Sequence, residues 1–190
     1  MIDNAQDFTV LQPLWKGIPG FFDFQAVYDE IAAGTKDGDV LVEVGCLLGR
    51  SACYLGDILK ERGIKATLLC VDEWPALYGT GLKAQMECPF ETFYANVRQA
   101  GLLDIVVPIR SKSARAAGFV KSNLDFVFID ASHEYEDVKS DIAVWLPKVR
   151  PGGIVAGHDF DGTFPGVVRA VTESFSGRFK IVGRSWMVHL

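Results

Sequence analysis

Two of the chain's three histidines, His133 and His158, stand within a few residues of the carboxylates Asp130 and Asp159. They belong to the segments Leu124-Asp-Phe-Val-Phe-Ile-Asp-Ala-Ser-His-Glu-Tyr135 and Pro151-Gly-Gly-Ile-Val-Ala-Gly-His-Asp-Phe160. In each, an apolar run ends and the ionisable groups follow at once. Imidazoles and carboxylates gathered in this way can hold a divalent cation, take a proton from a hydroxyl, or do both. An alcohol is a poor nucleophile at neutral pH, so group transfer to oxygen needs its proton removed or its alkoxide stabilised. Histidine titrates in the range suited to the first task, and a metal ion performs the second.

A second segment, Val40-Leu-Val-Glu-Val-Gly-Cys-Leu-Leu-Gly-Arg-Ser51, is an apolar run carrying an acid, Glu43, then glycines at Gly45 and Gly49, then a helix start at Ser51. Such a loop lets a ligand approach the backbone closely, because glycine has no Cβ. The spacing is G-x-x-x-G, with Cys46 and Leu47 where a dinucleotide fingerprint wants G-x-G-x-x-G. A pyrophosphate needs the missing glycine and exposed helix amides; a nucleoside with an amino-acid tail does not. The next apolar run ends at Asp72 and Glu73, where an acid can accept both ribose hydroxyls of a nucleoside.

Positioning these groups requires a regular frame. Runs at 40–44, 66–71, 105–109, 124–129 and 153–156 are short, apolar and rich in β-branched residues, as suits strands buried on both faces. Helical runs at 51–61, 90–100, 114–120 and 134–146 alternate with them, and a further helix starts at Pro165. Pro147 and Pro151-Gly-Gly153 end the 134–146 helix, in which Tyr135 and Trp145 read as core. The tail, 179–182 and 185–190 about Gly183-Arg184, reads as a hairpin. The fold class is therefore α/β: a doubly wound, mostly parallel seven-stranded sheet with an antiparallel last strand. Residues 1–190 form one domain, with 1–35 an N-terminal cap segment carrying a helix at 24–33. The connection 74–89, with Trp74 and Tyr78, reads as an active-site lid.

Composition excludes several classes. A net charge of −5 with mixed signs leaves no basic stripe for nucleic acid. No apolar run approaches a membrane span, and the acidic N-terminus is no signal peptide. Cys46, Cys53, Cys70 and Cys88 form no C-x-x-C pair and read as reduced thiols of a cytoplasmic protein. The oligomeric state is not legible, and a homo-oligomer stays open.

The glycine loop with Glu43 resembles motif I of the class I S-adenosylmethionine (SAM)-dependent methyltransferases. The β/α alternation closing in a hairpin resembles their Rossmann-like fold, so the likeness covers nearly the whole chain. It implies that Glu43 and the loop Gly45–Gly49–Ser51 hold the methionine end of SAM, Asp72 and Glu73 the ribose, that Ser113 or Ala114 borders the adenine, and that Asp130 also binds the cofactor. The two histidine segments look like the metal-dependent O-methyltransferases, distantly those of catechol and more closely the bacterial sugar and natural-product enzymes. That likeness implies Asp130, His158 and Asp159 as ligands of Mg²⁺ or Mn²⁺. It implies His133, three residues after the first ligand, as the general base acting on a small-molecule acceptor. His158 replaces the more usual carboxylate, and an imidazole suits Mn²⁺ or Co²⁺ better than Mg²⁺.

The residues alone leave other readings open. Asp130 could cap a helix, as could Ser113; Asp72 and Glu73 could be surface acids; His133 could bond Glu136 or a carbonyl; and His158 could contact substrate in a metal-free enzyme. Three rivals follow: a metal-independent methyltransferase acting on N or O, a non-catalytic SAM binder, and a two-histidine, one-carboxylate iron oxygenase.

Overall fold

The computed structural model describes residues 12–74 and 89–190. Five parallel strands form its centre: β1 (Val40–Val44), β2 (Thr67–Asp72), β3 (Val106–Arg110), β4 (Leu124–Ile129) and β5 (Val149–Gly157). β6 (Lys180–Val182) and β7 (Ser185–His189) complete a sheet of order β3-β2-β1-β4-β5-β7-β6. β7 runs antiparallel to both neighbours, pairing Gly157 with Trp186 and Val182 with Ser185. The reversed strand is thus the one the sequence predicts. The order turns back at β1 and β4, which places the switch point between their carboxyl ends.

Alternation along the strands sorts side chains into two apolar layers. Leu41, Leu68, Cys70, Phe126, Phe128 and Met187 face one layer, covered by α1 (Gln25–Gly34), α2 (Arg50–Glu61) and α3 (Pro89–Gln99). Val42, Val44, Val127, Ile129, Val155 and Trp186 face the other, under α4 (Ser113–Phe119), α5 (Tyr135–Trp145) and α6 (Pro165–Phe175). Burial on both faces explains why the strands are apolar throughout. Among the described residues no helix is long and apolar enough to cross a membrane.

Three local expectations change. Pro151-Gly-Gly153 is not a helix terminator: α5 ends at Trp145, a short 3-10 turn spans Leu146–Lys148, and the glycines lie inside β5. There the register slips between Leu124 and Phe126, a bulge that Gly153 permits because a Cβ would meet the Asp125 carbonyl oxygen at 3.0 Å. Tyr135 is half-buried rather than core; its hydroxyl donates to Glu173 on α6 at 2.6 Å, and Trp145 is buried as expected. Trp74 is no part of a lid, because it is fully buried against Phe90 and Phe93 and donates from its indole to the Leu47 carbonyl at 2.6 Å. The rest of the expected lid, with Tyr78 and Cys88, lies outside the described residues.

The antiparallel hairpin is held chiefly by Trp186, whose ring lies 5.5 Å from that of Phe175 in the α4–α6 layer. Trp186→Ala should therefore cost about 3–5 kcal/mol of unfolding free energy. Urea denaturation checks this, and a loss under about 1 kcal/mol would show that the hairpin docks by other means.

Candidate active site

The cleft opens over the carboxyl ends of β1, β2, β4 and β5 and encloses about 640 Å³, within the usual range of small-molecule sites. At its centre the glycine loop leaves β1. Gly45 has φ +89°, and a Cβ there would stand 2.1 Å from the Asp130 carbonyl oxygen, so no side chain fits. Gly49, φ +83°, makes the left-handed turn into α2, with the Phe93 ring 3.0 Å from where its Cβ would be. Gly45, Ser51, Asp72, Glu73, Ser113, Asp130, His133, His158 and Asp159 line the cleft; Glu43 and Gly49 do not.

Glu43 is withdrawn beneath the loop, level with Cys70 and Phe128 on its neighbouring strands. Its Oε1 accepts from the Ser51 hydroxyl at 2.5 Å. The Tyr28 hydroxyl lies beside the same carboxylate and, like Ser51, favours its charged form. Burial pushes the Glu43 carboxyl up to about 8, against the Ser51 hydrogen bond and with the help of the Asp130 charge. Cys46 and Cys70 lie beside it, and burial raises both thiols, so they stay protonated and unreactive. Cys46, Cys53 and Cys70 are all free thiols.

Asp72 ends β2 beside the same loop. Its Oδ2 accepts from the Cys46 and Leu47 amides at 2.9 and 3.0 Å, and its Oδ1 from the Trp74 amide at 2.8 Å. It is therefore no idle surface acid: it fixes the loop. Glu73 is exposed at the rim. Ser113 does not cap α4, whose N-cap is Lys112. Its hydroxyl accepts from the Trp145 indole at 2.9 Å and lies against Asp141, a cleft residue on α5 that burial raises to about 6.

The ionisable cluster gathers where β4 and β5 end side by side, Ile129 paired with Gly157. Asp130 caps no helix, since α5 is preceded by Glu134. His133 Nε2 lies 2.7 Å from Asp159 Oδ2, not on Glu136 or a carbonyl, and its ring stacks on Phe164 at 4.1 Å. His158 is buried; its Nδ1 stands 3.3 Å from Asp159 Oδ1 and 3.9 Å from Asp130 Oδ1, and its Nε2 lies 2.6 Å from Asp23 Oδ1. Burial opposes a charge on His158, but Asp159, Asp130 and Asp23 outweigh it and raise its pKa. Burial likewise opposes the Asp159 charge, and the two imidazoles overcome it, holding that carboxyl well below the usual range. Asp159 has φ +59°, a left-handed conformation that aspartate tolerates better than most residues.

The sequence reading missed Asp23, Arg50, Asp141, Phe164 and Arg184. Arg184, in the β6–β7 turn, places Nη2 2.9 Å from Asp159 Oδ1 and also pairs with Asp161. Mutual repulsion of Asp130 and Asp159 therefore does not by itself demand an ion, since the Arg184 guanidinium already stands against Asp159. The donor set nevertheless fits one. The set whose ligand atoms lie within 4.8 Å of one another is Asp130, His133 and Asp159, with His133 where the likeness implies His158, whose Nδ1 stands 3.3 Å from Asp159 Oδ1 and 3.9 Å from Asp130 Oδ1.

Residues 42–160 match the methyltransferase domain family, a span running from β1 through the histidine–aspartate pair after β5. The chain belongs to that family. Its fold is that of the class I SAM-dependent methyltransferases. The O-methyltransferase NovP is 20% identical, with TM-score 0.67 over 87% of this chain and 76% of its own. A candidate methyltransferase from Streptococcus mutans, solved in complex with SAH, is 10% identical, with TM-score 0.64 over 90% of this chain and 99% of its own. An rRNA methylase from Streptococcus thermophilus is 13% identical, with TM-score 0.63 over 90% and 98%. At these identities the methyltransferase shares their fold, while the acceptor must be argued from its own site.

The buried Glu43 gives a pH prediction. Its carboxyl is raised from 4.5 to about 8 on folding, so between those values the folded chain holds a proton that the unfolded chain has released. Stability from this group is full below about 4.5 and falls as pH rises through about 8. Glu43→Gln keeps the shape without titrating. The denaturation free energies of wild type and Glu43→Gln should diverge with rising pH, wild type losing a few kcal/mol relative to the variant. Parallel curves from pH 5 to 9 would contradict the shift.

Proposed function

We propose that this methyltransferase transfers the methyl group of SAM to a hydroxyl of a small molecule, with His133 as general base and with divalent-metal assistance. The observation that carries the reading is the His133–Asp159 pair, 2.7 Å apart in the wall of the same cleft as the glycine loop. With Nε2 held by Asp159, Nδ1 is the nitrogen left to accept a proton, an arrangement in which a carboxylate orients the base. Phe164 stacks on the ring and limits its rotation.

Bound SAM supplies a methyl group already activated by its sulfonium. The chain's own work is to bind, orient and dehydrate. The Gly45 loop offers backbone at close range, Asp72 stands ready for the ribose, and Ser113 with Asp141 borders the adenine end. At the acceptor end, the hydroxyl proton passes to His133 as the new carbon–oxygen bond forms, leaving S-adenosylhomocysteine. Asp130, His158 and Asp159 would hold the divalent ion, whose chemistry is to stabilise an alkoxide and orient it.

A small acceptor is supported by the Asp130 and Asp159 carboxylates in the cleft wall, which would repel a phosphate backbone. The three free thiols support a reducing, cytoplasmic setting. A metal-independent enzyme stands as the second reading, favoured by the Arg184–Asp159 contact.

The decisive experiment screens hydroxylated small molecules, and rRNA as a contrast, with labelled SAM. On the acceptor found, His133→Ala should keep SAM affinity and lose roughly 10²–10⁴-fold in turnover. Near-normal turnover would leave His133 a structural residue. Exhaustive chelation should abolish activity, and Mn²⁺ or Co²⁺ should restore it at least as well as Mg²⁺ because an imidazole is among the donors. Activity that survives chelation selects the metal-independent reading.

A further inference from the structure

The segment ahead of β1 reaches the ionisable cluster through one side chain. Asp23 directs Oδ1 to within 2.6 Å of His158 Nε2, while the opposite nitrogen of that ring faces Asp159 and Asp130. The next residue, Phe24, is buried and lies ring against ring with His158 at 4.9 Å and with Phe128 at 4.6 Å. Phe24 thus packs against the imidazole, and Asp23 stands in ion-pair contact with its outer nitrogen, off the axis of an N–H hydrogen bond. Two further contacts seat the same segment beside the cleft. Arg50 Nη1 donates to the Gly20 carbonyl at 2.8 Å, and Arg184 Nη1 stands 3.6 Å from Asp23 Oδ2. Pro19, Gly20 and Phe21 form part of the cleft wall, with Phe21 82% exposed at the mouth.

A carboxylate behind a histidine is the usual way to fix which nitrogen carries the proton and which faces a metal. We infer that Asp23 is the positioning residue for His158, so that the N-terminal segment is a working part of the metal centre and its seating is coupled to metal binding. The inference rests on the proposal that His158 is among the ligands. Asp23 holds Nε2, which leaves Nδ1 to face the ion between Asp130 and Asp159. Coupling of this kind is reciprocal: an ion that needs His158 in this orientation favours the seated segment, and the seated segment raises affinity for the ion. The cleft wall formed by Pro19, Gly20 and Phe21 would then be most firmly placed when the centre is loaded, which links metal occupancy to the shape of the acceptor mouth.

The test is Mn²⁺ binding by calorimetry on the full chain, with amide hydrogen exchange over residues 14–34 as the second readout. The Asp23 side chain is about half exposed, so its replacement leaves the fold intact. Asp23→Ala should weaken Mn²⁺ binding about 10- to 100-fold, and Asp23→Asn, which keeps an acceptor oxygen in place, should lose less. In a His158→Ala background the same Asp23→Ala change should cost no more than about twofold, because its effect passes through that ring. Mn²⁺ should slow exchange in residues 14–34 of the wild type and not of Asp23→Ala. If the wild type binds Mn²⁺ and Asp23→Ala binds it equally well, or if Asn is no better than Ala, the positioning role is overturned while the metal centre stands. If the wild type binds no Mn²⁺, the metal centre itself is overturned, and the coupling with it.

Discussion

Everything in the cleft is placed by the close approach of Gly45 to the backbone of Asp130. β1 and β4 are neighbours, and the chain leaving β1 turns across the end of β4 so tightly that a Cβ at position 45 would lie 2.1 Å from a carbonyl oxygen. The Asp130 amide donates to the Val44 carbonyl at 2.8 Å, and the Gly45 amide to the Val71 carbonyl at 2.8 Å, so three strands are tied at that point. The cost of excluding every side chain from position 45 is met by a gain in placement. The loop that would cradle a nucleoside and the acid that opens the ionisable cluster sit side by side, on backbone that cannot drift. A site divided between two mobile loops would have to fix that spacing again in each binding event.

Two acids near this point show how environment divides labour among like groups. Glu43 faces the apolar layer, has the Ser51 and Tyr28 hydroxyls beside it, and is raised to about 8. Asp159, two strands along the sheet, meets two imidazoles and a guanidinium and is held ionised. Desolvation acts on both, and the partners decide the sign. A neutral Glu43 suits a residue that braces Ser51 from below, where an uncompensated charge would be costly. An ionised Asp159 suits a residue set between the imidazoles of His133 and His158 and the Arg184 guanidinium. Its left-handed backbone is paid for locally, by the Arg184 pairing and by the Phe160 amide, which donates to the Arg184 carbonyl at 2.8 Å.

The sheet was legible because its strands are buried on both faces and their apolar runs are short. The reversed tail was legible because a two-residue turn with glycine has few other uses. The adjacency of the segments holding Asp130 and His158 followed from the right-handed crossover of β4 and β5. Other features carry no periodic signal. Glu43 is the acid of the loop, yet its side chain points to the α1–α2 layer; strand alternation from Leu41 predicts that, had alternation been weighed above resemblance. Pro151-Gly-Gly153 has the composition of a helix stop, and only the pairing of β5 with β4 makes it a bulge. Asp141 is one acid among several on α5, and contact with Ser113 across two helices singles it out. Asp23 could not be placed at all, since its partner lies far along the chain.

Arg184 is the instructive case between these. As a turn residue it looked incidental, but the antiparallel pairing of β7 with β5 sets Trp186 opposite Gly157. The residues just before Trp186 must then project past the carboxyl end of β5, which is where ligands of open α/β sheets bind. A hairpin closing such a sheet therefore delivers its turn to the active cleft as a matter of topology. The segment before β1 reaches the same place by crossing the α2 side, with Arg50 and His158 as its anchors. Asp159 thus meets a cation brought by the last hairpin and a histidine steadied by the first segment. Both flanks lie outside the span that matches the methyltransferase domain, yet each contributes residues to the cleft wall.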